Sequence, residues 1–364
     1  MRFPEFIEEW KKDYLKNVAS ISKGSGISKE QLSDSGLPCI LYGELYTKYK
    51  SEVITDIHSK TDIETKGLVS SKANDVIIPC SGEAAIEIAT ARCVSASNIL
   101  LGGDLNIIRL DGHDGRFFAY QLNGKRKIDI AKVAQGVSVV HLYGEHLKKI
   151  NIFFPSLAEQ NKIAQLLSLL DKRIATQNKI IEKLESLIKG LCQKLTQQGN
   201  PNTTLNECLE CYSSTLQENS VFEAGDFPVY GATGVCGYTD TPEVDGDSIL
   251  IIKDGASVGV TYYASGKYSA IGTLNRLVTK NGYSLRYLYY CLKVFNFAPY
   301  RTGLAIPHIY FKDYGKAQIW CPLIEEQCRI GSALEKVEQK IAIQKSLLEQ
   351  LYSQKRFLLQ TMFI

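Results

Sequence analysis

The chain has 364 residues, 45% hydrophobic and 22% charged, an ordinary globular composition long enough for two or three domains. Its 42 Lys and Arg against 39 Asp and Glu leave a net charge of +3, which excludes a histone-like polycation but permits a local basic face. No apolar run approaches the roughly 20 residues of a membrane span, and Glu5, Glu8 and Glu9 stand where a signal peptide carries its apolar stretch. A soluble, cytoplasmic protein is expected.

Residues 1–154 read as a first globular unit. Short β-rich runs such as Asp75-Val-Ile-Ile-Pro-Cys80 alternate with glycine and polar turns, and one helix is expected near residues 115–122. Residues 155–200 then change character. Leu167, Leu170, Ile174, Gln177, Ile181, Leu184, Ile188, Leu191 and Leu195 alternate at three and four, a heptad seam, with Pro155 at the start. Residues 201–321 return to the β-rich pattern, with a strand in Asp247–Lys253 and a helix near residues 284–295 showing a Leu285, Leu288, Tyr289, Leu292 face. Residues 322–364 form a second seam through Leu334, Val337, Ile341, Gln344, Leu348, Leu351, Leu358 and Met362, with Lys355 as its one defect. A helix of about 40 residues at ~1.5 Å each is a rod of roughly 60 Å.

The two rods are copies. Shifted by 167 positions, residues 155–195 fall on 322–362 without a gap and agree at 13 of 41 positions, among them Pro155/Pro322, Glu159/Glu326, Gln160/Gln327, Leu167/Leu334 and Gln177/Gln344. The register continues upstream through Gly136/Gly303, His141/His308 and Tyr143/Tyr310, while the globular units otherwise diverge. The fold class is therefore α+β: two β-rich units with helices, alternating with two long helices that pair as an antiparallel coiled coil about a pseudo-two-fold axis. Gln177 and Gln344 hold the same seam position, where a polar residue costs stability but fixes register.

Chemistry is harder to find. Ten cysteines are scattered, and Cys208 and Cys211 form the one C-x-x-C without a second pair or a nearby His, so no metal site is expected. Asp254-Gly-Ala-Ser-Val-Gly259 follows a strand but leads into another strand, unlike a cofactor loop. Glu64-Thr-Lys66 lacks an upstream acidic partner for nuclease chemistry. His141 and His308 have no matched Ser or Cys in a nucleophile-elbow pattern and are expected to pack beside Tyr143 and Tyr310. Two dissimilar heads on stiff rods suit the reading of two dissimilar features, and loops rich in Gly, Ser, Thr, Asn, Lys and Tyr suit phosphate and base-edge contacts.

Pro155-Ser-Leu-Ala-Glu-Gln-Asn-Lys-Ile-Ala164 followed by Leu169-Leu-Asp-Lys-Arg-Ile174, its second occurrence at Cys321–Ile330, and Phe227-Pro-Val-Tyr-Gly-Ala-Thr-Gly234 leading into Ile249–Gly255 carry a resemblance. So does the opening Arg2-Phe-Pro-Glu-Phe6 with Trp10. Over nearly its whole length the chain resembles the specificity subunit of type I restriction–modification systems, although Glu338 replaces Asp171 in the second copy. The resemblance implies two target-recognition domains, each reading half of a bipartite site in double-stranded DNA, with spacer helices as the ruler. It implies no enzyme activity and no cofactor on this chain. S-adenosylmethionine, ATP and Mg are expected on separate adenine-methyltransferase and restriction/translocase subunits. Expected DNA contacts are Lys23, Ser25, Lys29, Tyr42, Ser81 and Arg92 in the first head, and Tyr230, Thr233, Lys253, Lys267, Asn275, Arg276 and Arg301 in the second. Gln160, Lys162, Asp171, Lys172 and Arg173 are expected to face solvent and meet a methyltransferase subunit. The alternative is a coiled-coil adaptor whose heads bind proteins.

Overall fold

A computed structural model describes residues 2–363 except 215, 218 and 220. The chain divides into two compact units, residues 1–178 with 346–364, and residues 179–345. Two helices dominate, Leu157–Thr196 and Ile324–Thr361. Each begins two residues after its proline, where a missing N–H costs the helix nothing. No helix among the described residues is long and apolar enough to cross a membrane.

Each unit takes the early turns of one long helix and the late turns of the other. In the first unit Leu167, Leu170 and Ile174 share a core with Leu351, Leu358 and Met362. In the second, Ile188 and Cys192 share one with Leu334 and Ile341. Early turns against late turns is the antiparallel pairing that the repeat predicts. The unit boundaries fall one residue beyond Gln177 and Gln344, of which Gln177 is buried and Gln344 half-buried.

The heads diverge in sequence but share a framework. The first carries a five-stranded sheet ordered Ala19–Lys23, Leu105–Leu110, Asp75–Pro79, Arg92–Val94, Val53–Ile54, antiparallel except for its last pair. The second carries Leu209–Ser213, Leu274–Thr279, Ser248–Ile252 and Thr261–Ala264, antiparallel throughout. Strand side chains alternate between faces, and the central strand of each sheet is buried on both. Val76 and Ile78 pack with Phe117 and Phe118 of the helix Gly115–Asn123, whereas Ile77 joins Leu105 and Ile107 on the other face. Likewise Ile249 and Ile251 pack with Tyr287 and Leu288 of the helix Leu285–Lys293, and Leu250 and Ile252 join Val229 and Tyr268. One face thus holds a helix and the long rods. The other carries a second sheet, built in the first head from three strands, Leu37–Ile40, Ser59–Thr61 and Leu100–Leu101, and in the second from four, including Phe227–Gly231 and Lys267–Ala270.

A matched glutamine locks each rod to its head. Gln160 Oε1 accepts the backbone N–H of Asp114 at 3.1 Å, and its Nε2 donates to Pro155 O at 2.9 Å. Gln327 Oε1 accepts the N–H of Ser284 at 2.9 Å, and its Nε2 donates to Pro322 O at 2.8 Å. Asp114 and Ser284 are the N-caps of the two head helices, so both glutamines satisfy a backbone donor at a helix start. Asp171 and Glu338 match in the same way, accepting the hydroxyls of Tyr120 at 2.7 Å and Tyr290 at 2.8 Å from those helices.

These contacts correct two expectations. Gln160 and Asp171, expected to face solvent, are 1% and 8% exposed and bind their own head. Lys162, Lys172 and Arg173 are exposed. Lys162 pairs with Glu5 and lies over the Phe3 ring at 4.9 Å, while Arg2 and Trp10 both donate to Glu159. The N-terminal segment is thereby pinned to the first rod.

Candidate nucleic-acid interface

Lys23 ends its strand at the same end of the sheet as Leu105, Pro79 and the short strand Ser81–Gly82 that follows, where Ser81 is half-buried opposite His141. Gly24 follows, and a Cβ there would meet Gly102 O at 2.0 Å, so glycine alone permits the close crossing. Ser25 is half-buried, and its Oγ accepts the Val69 N–H at 2.6 Å, which ties down a neighbouring loop. Beyond it an open cleft of about 920 Å³ brings Lys29 and Tyr42 together with Gly26, Glu44, Lys48 and Asp104. Lys29 and Tyr42 are both exposed. A cation and an aromatic hydroxyl in one cleft can grip a phosphate and approach a base edge.

Arg92 is not part of this surface. It is 9% exposed, and its guanidinium donates to Tyr49 O at 3.3 and 3.1 Å and to Ala91 O at 3.0 Å. Burial lowers its pKa, opposed by Glu52 and Asp171. The expectation that it contacts DNA is corrected: its donors are engaged inside the head.

The second head places Lys253 at the corresponding sheet edge. Lys253 donates its N–H to Thr273 O at 3.0 Å and accepts that of Ile309 at 2.9 Å, as Cys80 does with Asp104 and Leu142 at 2.8 and 2.8 Å. The loop after Lys253 is held by Gly255 N–H to Pro307 O at 2.9 Å, and by Gly259, whose φ of +92° only glycine adopts freely. Arg301 reaches that loop through Val258 O at 3.0 Å and is otherwise exposed. Thr233 is exposed in a turn beside half-buried Tyr230, whose ring meets Tyr268 edge-on at 5.7 Å and whose hydroxyl burial pushes above its ordinary pKa. Lys267 is exposed over the Phe227 ring at 5.8 Å, whereas Tyr230 aligns with Ala270 at the other end of that strand. Arg276 is half-buried with its guanidinium over the Tyr212 ring at 4.6 Å.

Asn275 requires a second correction. It is 5% exposed and accepts from Ser213 Oγ at 3.1 Å. Asn106 stands at the equivalent strand position in the first head, fully buried, donating to Leu142 O at 2.9 Å. Asn106 ties its strand to the segment at Leu142 and Asn275 ties its strand to the neighbouring Leu209–Ser213 strand, so Asn275 is a framework residue.

His141 stacks on Tyr143 at 6.1 Å and His308 on Tyr310 at 6.5 Å, as expected for the matched pairs. His308 Nδ1 also bonds Asp254 Oδ1 at 2.7 Å. Cys208 is buried with its sulfur 4.0 Å from that of Cys321, while Cys211 lies on the next strand.

A candidate surface with two dissimilar loop sets on one repeated framework can be compared with known proteins. The family profile described as type I restriction modification DNA specificity domain matches residues 7–186 and again 212–353. A protein of Mycoplasma pneumoniae named as a type I specificity subunit is 26% identical over 196 residues, 48% of this chain and 52% of that one. The specificity subunit of the MjaVIII type I restriction enzyme of Methanocaldococcus jannaschii is 29% identical over 160 residues, 43% of this chain and 36% of that one. The chain thus spans about half or less of the curated relatives it matches. In fold it resembles the crystal structure of a type I specificity subunit from M. genitalium, with a TM-score of 0.70 at 21% identity over 100% of this chain and 98% of that one. A structure from work on assembly and conformational transition of a type I restriction–modification system gives 0.58 at 16% identity, over 98% and 97%. With most of both heads and the greater part of each rod inside the profile, the chain belongs to the type I restriction–modification DNA specificity family.

Proposed function

We propose that this chain is the DNA-specificity subunit of a type I restriction–modification complex, each head reading one half of a bipartite site in duplex DNA. The observation that carries the reading is the combination of one repeated framework with two dissimilar sets of exposed or half-buried residues at strand ends and turns. Lys23, Lys29 and Tyr42 line one edge of the first head, and Thr233, Lys253 and Arg301 with Tyr230 that of the second. Unlike loops on like frames suit unlike half-sites. The cations grip phosphate and set register, while Tyr, Ser and Thr approach base edges. Lys267, on the sheet with Phe227–Gly231, and Arg276, on the sheet with Ser248–Ile252, are assigned to the second set.

The chain supplies recognition and spacing, and its partners supply chemistry. Adenine methylation with S-adenosylmethionine is assigned to methyltransferase subunits, and ATP- and Mg-dependent translocation and cleavage to a restriction subunit. Exposed apolar residues on the first rod, Leu166 and Leu169 in the first unit and Ile180 and Leu187 in the second, support docking of the methyltransferase along the helices beside Lys162, Lys172 and Arg173. Gln177 and Gln344 are assigned the register of the seam. The adaptor alternative is not favoured, because the family profile covers most of both heads as well as much of the rods.

The test is a map of methylated adenines across the source genome with and without this gene. Loss of methylation at one bipartite motif is expected and would give both half-sites together. An unchanged map, together with failure to direct methylation when co-expressed with the methyltransferase subunit, would overturn the reading.

A further inference from the structure

Beside the candidate interface, where His141 pairs with Ser81 and Pro307 O holds the Gly255 N–H, each head projects one apolar loop of the same construction. In the first head Gln135 and His141 exchange backbone hydrogen bonds at 2.9 and 2.7 Å, and in the second Thr302 and His308 do so at 2.9 and 2.8 Å. Each clasp closes a five-residue loop that opens on a glycine in left-handed backbone, Gly136 at φ +124° and Gly303 at φ +87°. A Cβ would strike Val139 O at 2.0 Å in the first and Ile306 O at 2.3 Å in the second, so both turns need glycine. The His–Tyr stacks stand at the base of each loop.

The tips carry large aliphatic side chains in water. Val137 is 97% and Leu304 108% exposed, with Val139 and Ile306 at 52% and 59%. Aliphatic side chains held outward on a rigid clasp gain nothing for the fold and mark a contact surface. The repeat indicates for what. Loops that differ between heads serve what differs, the half-sites. These loops match in glycine, histidine, tyrosine and apolar tip, so they serve something both heads meet alike. Phosphate is common to both half-sites, but an aliphatic tip offers it no donor. A wedge between base steps would respond to the step it unstacks, which suits a loop tuned to its own half-site better than a repeated one. Two copies of one protein fit both the chemistry and the repetition.

We propose that each tip is an anchor seated in an apolar pocket of a methyltransferase subunit, one copy per head. This rests on the functional reading above and adds a contact on the heads to the docking proposed along the rods. The exposed position means that polar substitution removes the anchor without disturbing a core.

The test uses the full chain titrated with its methyltransferase subunit, read by native mass spectrometry, in variants Val137→Ser with Val139→Ser and Leu304→Ser with Ile306→Ser. Each pair is expected to weaken the binding of one partner copy by about tenfold or more, so that complexes with a single copy accumulate. The thermal midpoint should stay unchanged, and Val137→Ile should retain binding. Undiminished partner affinity in both variants would overturn the proposal. If 2-aminopurine in the duplex reported lost unstacking while partner binding held, the tips would be DNA wedges instead. A wild-type chain that neither binds the subunit nor directs methylation would fail the functional reading itself, a result separable from the behaviour of the tip variants.

Discussion

Lys355, late in the second long helix, places its ammonium 2.6 Å from the carboxylate of Asp171, early in the first. Glu52 of the head completes the cluster on the same ammonium. All three side chains are nearly buried, at 12%, 7% and 8% exposure. The apparent defect in the heptad seam is thus the cation of a buried ion network. Its counterpart in the first rod is Ile188, which packs in the core of the second unit. Burial works against the Lys355 charge, but Glu52 and Asp171 outweigh it and hold the pKa above its ordinary 10.5. A raised lysine gives stability that is fully present below that ordinary value and lost as pH rises through the folded one.

Replacing Lys355 with Met should therefore destabilise the first unit by about 3–5 kcal/mol, since two carboxylates would be left buried without their cation. Combining K355M with E52Q and D171N should recover much of the loss. Urea unfolding followed by hydrogen exchange, resolved between the two units, measures both. A single substitution without effect would mean that the network is not closed in solution.

Gln160→Ala leaves the Asp114 N–H and Pro155 carbonyl without their partner and should cost roughly 1–3 kcal/mol. Gln327→Ala should do the same to the second head at Ser284. Faster amide exchange confined to the start of the Gly115–Asn123 helix in one variant and of Leu285–Lys293 in the other is the expected signature. The same lock carries a pH dependence in the first head. Burial holds His113 below its ordinary 6.5, with Asp111 partly offsetting it, and Gln160 Nε2 lies 3.0 Å from its Nδ1. A depressed histidine favours the neutral form in the fold, so its stabilising contribution is present above pH 6.5 and lost as pH falls through the folded value. In His113→Gln that part of the acid sensitivity of the first unit should disappear.

The rods were legible because a repeat and a heptad are local patterns that one shift reveals. The shared head framework was not. Its strands are two to six residues long, and the offset of 167 that holds along the rods drifts through the heads, so the matching of Ala19–Lys23 with Leu209–Ser213 emerges only from long-range pairing. Among candidate contacts, Lys29 lies in a single 3-10 turn and Tyr42 and Thr233 in turns, where exposure follows from polarity. Arg92 and Asn275 lie on strands whose inward or outward phase cannot be read where both faces are buried. Gln160 looked like solvated helix surface, yet its identity with Gln327 in otherwise variable polar positions was a usable signal of a framework role.

Those placements separate three kinds of variant. Arg92→Ala should lower stability by roughly 1–3 kcal/mol and leave half-site preference unchanged. Tyr42→Ala should weaken the first half-site alone at unchanged stability, while Lys29→Ala should weaken all sequences evenly and reduce the salt slope of DNA binding by about one. Arg276→Ala should relax or weaken the second half-site only. Equal loss on every duplex tested would place Arg276 among the phosphate contacts. Binding of the assembled complex to duplexes altered in one half-site at a time, across a salt series, reads all four.

Spacing tests the rods themselves. One heptad inserted into both long helices, after Asn178 and after Lys345, keeps the seam in phase and adds about 10 Å to each rod. At ~3.4 Å per base pair the recognised site should keep both half-sites and lengthen its gap by about three base pairs. An insertion in one helix alone should break the antiparallel seam and abolish recognition. Methylation mapping in cells carrying each variant distinguishes the outcomes. A site with altered half-sites and an unchanged gap would mean that the helices do not set the spacing, and that distance is fixed by the partners instead.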